Sequence, residues 1–223
     1  MLYVVATPIG DTKEISLRAL EILRLAEVVI CESTKETSKL LKTHEIKAQR
    51  YEVLNEHSTP DDIQILGQLC EEKTVALVSD CGTPSFCDPG FQMVDYCRKK
   101  NIQIKTVLGP SSLMGLLSLS SEQIKQFHFR GFLPAETVER ENQWKILARE
   151  KTAIIVMDTP YRLKKTVAEL AMHFPQRKIL LALNISQGDD EQTIETTGSK
   201  LAAAVKHEKA EFMALIYSEK ATR

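Results

Sequence analysis

Three breaks rich in glycine and proline carry the residues best suited to binding a small polar ligand. They are "ATPIGD" at 6–11, "SDCGTPSFCDPG" at 79–90 and "LGPSS" at 108–112. Glycine lets a ligand approach the backbone, and proline fixes a turn. Serines at a helix start leave main-chain N–H groups free to hold a carboxylate or a phosphate. Turns alone also require these residue types, so a single break would indicate only a turn.

The position of the three breaks favours a ligand site over three unrelated turns. Each break follows a short apolar run that is typical of a strand, and ligands of open α/β sheets bind beyond the carboxyl ends of the strands. The spacing matches neither GxGxxG nor GxxxxGK[ST]. A dinucleotide site of the Rossmann type and a P-loop nucleotide site are therefore disfavoured.

The elements that position these breaks alternate between strands and helices. In the first half, "LYVVA" (2–6) and "TVALVS" (74–79) read as buried strands. The run "DPGFQMVDYCRKK" (88–100) predicts a helix with Asp88 as N-cap and Pro89 as its first residue, ended by Asn101 in a left-handed conformation. This alternation predicts a mostly parallel sheet with helices on both faces.

The second half predicts a different sheet. Two predicted strands, "RKILLALNIS" (177–186) and "QTIETT" (192–197), are joined by the short polar "QGDDE", which indicates a hairpin and thus a mixed sheet. We therefore expect two α/β domains, at residues 1–115 and 116–223, with a ligand cleft between them.

Composition limits the class of protein. The net charge is −1, which argues against a surface coated in basic charge for general nucleic-acid binding. The five cysteines are odd in number and form no CxxC pair, so neither a disulfide framework nor a zinc site is expected. No signal peptide or run of about 18 apolar residues is found, so we expect a cytoplasmic protein without a membrane segment.

Four motifs carry a resemblance to a known family. "VATPIGDTKEISLRALEIL", "VSDCGTPSFCDPGF", "LGPSS" and "FRGFLP" occur in this order. They resemble the tetrapyrrole methylase superfamily, and most closely its branch of ribosomal small-subunit methyltransferase I. The resemblance implies an S-adenosylmethionine-dependent transferase that methylates ribose 2′-hydroxyls of small-subunit ribosomal RNA, and it implies a homodimer.

The resemblance also implies which residues contact S-adenosylmethionine. Carried over position by position, the residues of the first domain are Pro8, Ser79, Asp80, Gly82, Thr83, Phe86 and Ser111. Ser112 follows at the helix start, and the second domain contributes Met157 and Leu183.

Transfer to a hydroxyl requires a group that accepts its proton. Glu32, directly after a strand, is the first candidate, and the alternative is an exposed glutamate at a helix start. His57 in a polar loop is the second candidate, and the alternative is a surface histidine. Asp80 is better suited to orienting the cofactor or capping a turn.

Two further features leave alternatives open. The segment "ALNISQ" (182–187) lacks the charges that the family carries there, which is also compatible with another RNA or small-molecule acceptor, or with a non-catalytic cofactor-binding remnant. A basic run comprises Lys35, Lys39, Lys42, Lys47 and Arg50. The run is either a phosphate contact or a solvated helix face balanced by Glu36 and Glu45.

Overall fold

The computed structural model describes residues 1–219, which divide between Ser111 and Ser112 into two compact units. The first unit holds a five-stranded sheet in which every neighbouring pair is parallel, in the order β3-β2-β4-β1-β5. The strands are β1 Leu2–Val5, β2 Val28–Cys31, β3 Tyr51–Val53, β4 Val75–Leu77 and β5 Ile104–Val107. The helices are α1 Leu17–Leu25, α2 Thr34–Thr43, α3 Pro60–Glu72 and α4 Phe91–Lys99.

Helices cover both faces of this sheet. Apolar side chains of α1 and α2 form one core with the sheet, and those of α3 and α4 form another. Polar caps fix where the helices begin: the Ser33 hydroxyl accepts from the Glu36 amide at the start of α2, and Thr59 and Asp62 form a capping box at α3. The helices α2 and α3 therefore start at defined residues beyond the carboxyl ends of β2 and β3.

The second unit holds a mixed five-stranded sheet in the order β6-β7-β10-β8-β9. Its strands are β6 Phe127–Phe132, β7 Ala153–Asp158, β8 Lys178–Leu183, β9 Gln192–Thr197 and β10 Phe212–Ile216. Its helices are α5 Ser112–Ser118, α6 Thr137–Leu147, α7 Leu163–His173 and α8 Gly198–Ala204. Only β6 and β7 pair in parallel, and β8 and β9 form the predicted hairpin. The predicted combination of a parallel and a mixed α/β sheet is confirmed.

The predicted start of α4 is wrong. The helix begins at Phe91 and its N-cap is Gly90, which has φ +137° and makes no side-chain cap. Proline holds φ near −65°, so the turn into α4 falls on the glycine that follows Pro89. Asp88 is thereby released from the cap; burial raises the pKa of its carboxyl, and the Ser79 side chain opposes this effect. The predicted left-handed Asn101 is confirmed, with φ 55°.

Candidate active site at the carboxyl edge of the first sheet

The loops after β1 and β4 are joined by a backbone bridge. The Thr7 amide donates to the Gly82 carbonyl at 2.8 Å, and the Gly82 amide donates to the Thr7 carbonyl at 3.1 Å. Gly82 has φ +78°, a conformation that other residues adopt only under strain. The buried Thr7 hydroxyl also donates to the Ser79 carbonyl at 3.1 Å. These bonds fix the loop after β4 against the end of β1.

The loop after β5 lies against the same two loops. The Thr83 hydroxyl donates to the Pro110 carbonyl at 3.3 Å. A Cβ atom on Gly109 would lie 3.0 Å from the Ala6 Cβ, so the two backbones approach closely. The three breaks found in the sequence are therefore brought together at one sheet edge, as their position predicted.

Three carboxylates gather where the loops after β2 and β4 meet. The Asp80 amide donates to Oε1 of Glu32 at 3.4 Å, and the Ser33 amide donates to Oδ1 of Asp80 at 3.1 Å. Partial burial is the main cause that raises the pKa of Glu32 to about 7, and the negative charge of Asp88 adds to it. Burial is also the first cause that raises the pKa values of Asp80 and Asp88.

This arrangement gives Glu32 the properties of a proton acceptor. A carboxyl group with a pKa near 7 exchanges protons readily at neutral pH, and perturbed groups of this kind cluster at functional sites. The hydrogen bond from the Asp80 amide orients the Glu32 carboxylate without neutralising its charge. The two carboxylates thus both accept a main-chain hydrogen bond across the loops, and the pKa of each is raised, that of Glu32 to about 7.

Two residues of this edge were missed in the sequence. Asp88 was assigned to a helix cap, and Ser85 was not singled out. Ser85 has φ 70°, and its buried hydroxyl oxygen has no hydrogen-bond partner within residues 1–219. Its position beside Gly90 follows from the turn into α4, which local sequence patterns do not reveal.

His57 lies in the loop after β3. Its amide donates to the Asn55 side chain at 2.9 Å, and its ring lies 3.6 Å from the Glu56 carboxylate. The ring is 83% exposed, which matches the surface alternative. Nothing in these contacts ties His57 to the acids around Glu32.

The remaining predicted residues of the first unit differ in accessibility. Pro8 is buried beside Thr7, whereas Phe86 is 59% exposed. Ser111 is half-buried at the end of the unit. An exposed phenylalanine on a loop with a fixed backbone offers a flat apolar surface to a ligand.

In the second unit, Met157 and Leu183 lie at the carboxyl ends of β7 and β8, on either side of β10. Their side chains point to opposite faces of the sheet. Leu183 is fully buried in the core formed with α6, α7 and α8, and Met157 is half-buried on the face covered by α5. Leu183 therefore offers a ligand only its backbone. Ser112 is half-buried at the start of α5.

Residues 1–219 contain neither a cluster suited to a metal ion nor a helix suited to a membrane span. No group of three His, Cys, Asp or Glu side chains in this range is arranged to hold a metal ion. Within the same range, no helix is long and apolar enough to cross a bilayer.

The fold of the chain is shared with solved structures of other proteins. A uroporphyrin-III C-methyl transferase from Thermus thermophilus, solved with S-adenyl homocysteine, is 16% identical and matches with a TM-score of 0.64 over 97% of this chain and 96% of that one. Diphthine synthase is 15% identical and matches with a TM-score of 0.69 over 97% and 89%. Two α/β units in this order thus define the class of fold.

The family follows from the sequence comparisons. The family model of Tetrapyrrole (Corrin/Porphyrin) Methylases matches residues 1–202, and the chain belongs to that family.

Two relatives are named Ribosomal RNA small subunit methyltransferase I. The protein of Leptospira biflexa is 33% identical over 220 residues, which are 99% of this chain and 92% of that protein. The protein of Neisseria meningitidis serogroup B is 36% identical over 186 residues, or 83% of this chain. The match covers 64% of the Neisseria protein, so this chain spans less than two thirds of that relative's length.

Proposed function

We propose that this chain is an S-adenosylmethionine-dependent methyltransferase that methylates a ribose 2′-hydroxyl of small-subunit ribosomal RNA. The observation that carries the proposal is the similarity to the Leptospira biflexa protein, because it extends over nearly all of both chains. The fold shared with a transferase solved with S-adenyl homocysteine supports the cofactor.

The residues at the carboxyl edge of the first sheet fit this cofactor. S-adenosylmethionine supplies a methyl group already activated on a sulfonium, so the protein has mainly to align the acceptor and exclude water. Both the sulfonium and the amino group are positive, and Glu32, Asp80 and Asp88 supply negative charge. The unpartnered Ser85 oxygen offers a further polar contact.

The cofactor residues we propose for the first unit are those of the three joined loops: Pro8, Ser79, Asp80, Gly82, Thr83, Phe86 and Ser111. Ser112, Met157 and Leu183 remain predictions for the second unit, with Leu183 acting through its main chain. The homodimer and the cytoplasmic location are also part of this proposal; the homodimer rests on the resemblance, and the location is the expectation drawn from the sequence.

Glu32 is the proposed proton acceptor. Its carboxylate takes the proton of the hydroxyl that becomes methylated, and the pKa near 7 keeps a large fraction of the groups ionised at neutral pH. His57 is the weaker candidate, because its ring is exposed and contacts only its own loop.

Cofactor binding is tested first. Thermal unfolding is measured with and without S-adenosylmethionine and S-adenosylhomocysteine. At a hundred times its Kd, a bound ligand adds about 2.7 kcal/mol to the free energy of unfolding. Unchanged unfolding temperatures with both ligands would contradict the proposed cofactor.

Transfer is tested with labelled cofactor and small ribosomal subunits from a strain that lacks the modification. We expect label on a ribose of the RNA. Label on another RNA or on a tetrapyrrole would contradict the proposed acceptor and identify that molecule as the acceptor instead. Binding without transfer to any of them would identify a cofactor-binding protein that has lost its activity.

A further inference from the structure

The outer face of α2 carries a row of lysines. Thr37 and Leu41 are the buried residues of this helix. At 100° per residue, Lys35, Lys39 and Lys42 fall on the opposite side, and all three are exposed. We call this row the α2 lysine row.

The α2 lysine row has no acidic partners. Within residues 1–219, none of its three ammonium groups has a carboxylate within 4.0 Å, although Glu36 lies on the same helix. Lysines of other helices do form such pairs: Lys99 lies 2.7 Å from Asp95, and Lys145 lies 3.5 Å from Glu141. The positive charge of α2 is therefore available to an external group.

Two members of the α2 lysine row, Lys35 and Lys39, are unfavourable for the helix itself. Lys35 and Lys39 are like charges four residues apart, which repel each other. Lys35 also lies in the first turn, where the helix macrodipole disfavours a cation. Lys42 lies in the last turn, where the macrodipole favours a cation, but helix stability does not account for Lys35 and Lys39, whereas an anionic partner does.

The α2 lysine row starts at the candidate active site. Its helix begins two residues after Glu32, and its N-cap Ser33 is bonded to Asp80. Lys35 and Lys42 are seven positions apart, so the row extends about 10 Å along the helix axis, away from the carboxyl edge of the sheet. An extended anion that reaches Glu32 can thus be held along α2.

We propose that the α2 lysine row binds the phosphate backbone of the RNA substrate and positions the acceptor strand at Glu32; this rests on the proposed function. Residues 34–50 carry five Lys and Arg against two Glu in a chain of net charge −1, so the positive charge is local. The exposed positions between the lysines are polar, which fits a nucleic-acid backbone better than a protein partner or a membrane, both of which require apolar anchors.

The test compares two triple variants that lose the same charge. One is K35Q/K39Q/K42Q, and its matched control is R98Q/K99Q/K100Q at the end of α4. Affinity for small-subunit RNA is measured from 50 to 300 mM salt. We expect the α2 variant to bind on the order of tenfold or more weakly, with the slope of log K against log salt reduced by about 2 to 3, and the control to match the wild type.

Kinetics and stability separate this role from a structural one. The α2 variant should show a raised KM for RNA with an unchanged kcat at saturating RNA, an unchanged affinity for S-adenosylmethionine, and thermal stability equal to or above that of the wild type. Equal salt slopes in the two triple variants would overturn the inference while leaving the proposed function intact. A wild-type protein that neither binds nor methylates the RNA would overturn both.

Discussion

The Asp80 amide donates to Oε1 of Glu32 at 3.4 Å, while the Asp80 carboxylate accepts from the Ser33 amide at 3.1 Å. The loops after β2 and β4 are thus joined by two hydrogen bonds, and each loop supplies one main-chain N–H donor and one carboxylate acceptor. The consequence is an acid that is oriented by a neutral donor yet surrounded by negative charge. The pKa of Glu32 is raised to about 7 by burial first and by Asp88 second, so the same geometry that positions the group also makes it titrate near neutrality.

The first prediction concerns the rate. Glu32→Gln keeps the shape and the bond from Asp80 but removes the proton acceptor. We expect kcat for RNA methylation to fall about 10²- to 10⁴-fold while S-adenosylmethionine binds within a few-fold of the wild-type affinity. Calorimetric titration and single-turnover transfer measure the two quantities. The control is Glu45→Gln, which makes the same substitution at an exposed glutamate and should keep the wild-type rate.

The second prediction concerns the pH dependence of that rate. A base must be ionised to work, so the wild-type rate should rise with pH up to about 7 and then level off. The rate is measured from pH 5.5 to 8.5 at saturating cofactor. In Glu32→Gln the rising limb should vanish. If the variant kept the same rising limb, another group would be the titrating base.

The third prediction concerns the pH dependence of stability. The pKa of Glu32 is 4.5 in the unfolded chain and about 7 in the folded protein. Between pH 4.5 and about pH 7, Glu32 therefore holds a proton in the native state that the unfolded chain has lost. Fewer protons bound in the unfolded state mean that stability falls as pH rises through this window. The advantage of Glu32→Gln over the wild type in free energy of unfolding should therefore grow from pH 5 to pH 8. Urea unfolding at both pH values measures it, and a constant difference would contradict the raised pKa.

Much of the fold is encoded locally in this sequence. The strand β9, Gln192–Thr197, was predicted to the residue, because a polar turn and a glycine bound it on either side. The three ligand loops were also found, since glycine and proline mark the ends of parallel strands regardless of the rest of the chain.

The details of the site depend on contacts between distant residues. Glu32 and Asp80 are 48 residues apart, and only the strand order brings β2 beside β4. Asp88 has the local pattern of a helix cap, yet the turn falls on Gly90. Leu183 was placed by resemblance, but the alternation of β8 directs its side chain into the core. Local pattern cannot determine which side of a turn or a sheet such a residue faces.

The fourth prediction concerns the two glycines of the loop after β4. Gly82→Ala introduces a Cβ that meets nothing closer than Ile9 at 3.9 Å, so its cost is the left-handed backbone alone, about 1–2 kcal/mol. Gly90→Ala adds an overlap, because its Cβ would lie 2.5 Å from the Ser85 oxygen and 2.9 Å from Leu77. We expect Gly90→Ala to be the more destabilising change in urea unfolding followed by circular dichroism. The reverse order would indicate that the loop relaxes around Gly90.

The fifth prediction concerns a buried ionic cluster in the second unit. Arg140 and Asp158 are almost completely buried, with 2.6 Å between Nη1 and Oδ2, and Arg140 also contacts Glu169 at 2.7 Å. Arg140→Met removes the partner that the two carboxylates share and leaves Asp158 with the partly exposed Arg162 at 3.2 Å, so it should cost up to about 3–5 kcal/mol. Lys99→Gln, which breaks the exposed pair with Asp95, should cost less than about 1 kcal/mol.

Urea unfolding followed by the fluorescence of Trp144 measures the loss in this unit, because Trp144 is the only tryptophan of the chain and is fully buried there. Should Arg140→Met fail to fold, the double change Arg140→Met with Asp158→Asn removes the buried carboxylate charge that only the partly exposed Arg162 would still balance within residues 1–219, and it should recover part of the stability. A double variant that is less stable than Arg140→Met alone would show that the cost arises from lost packing rather than from a buried charge left without its partner.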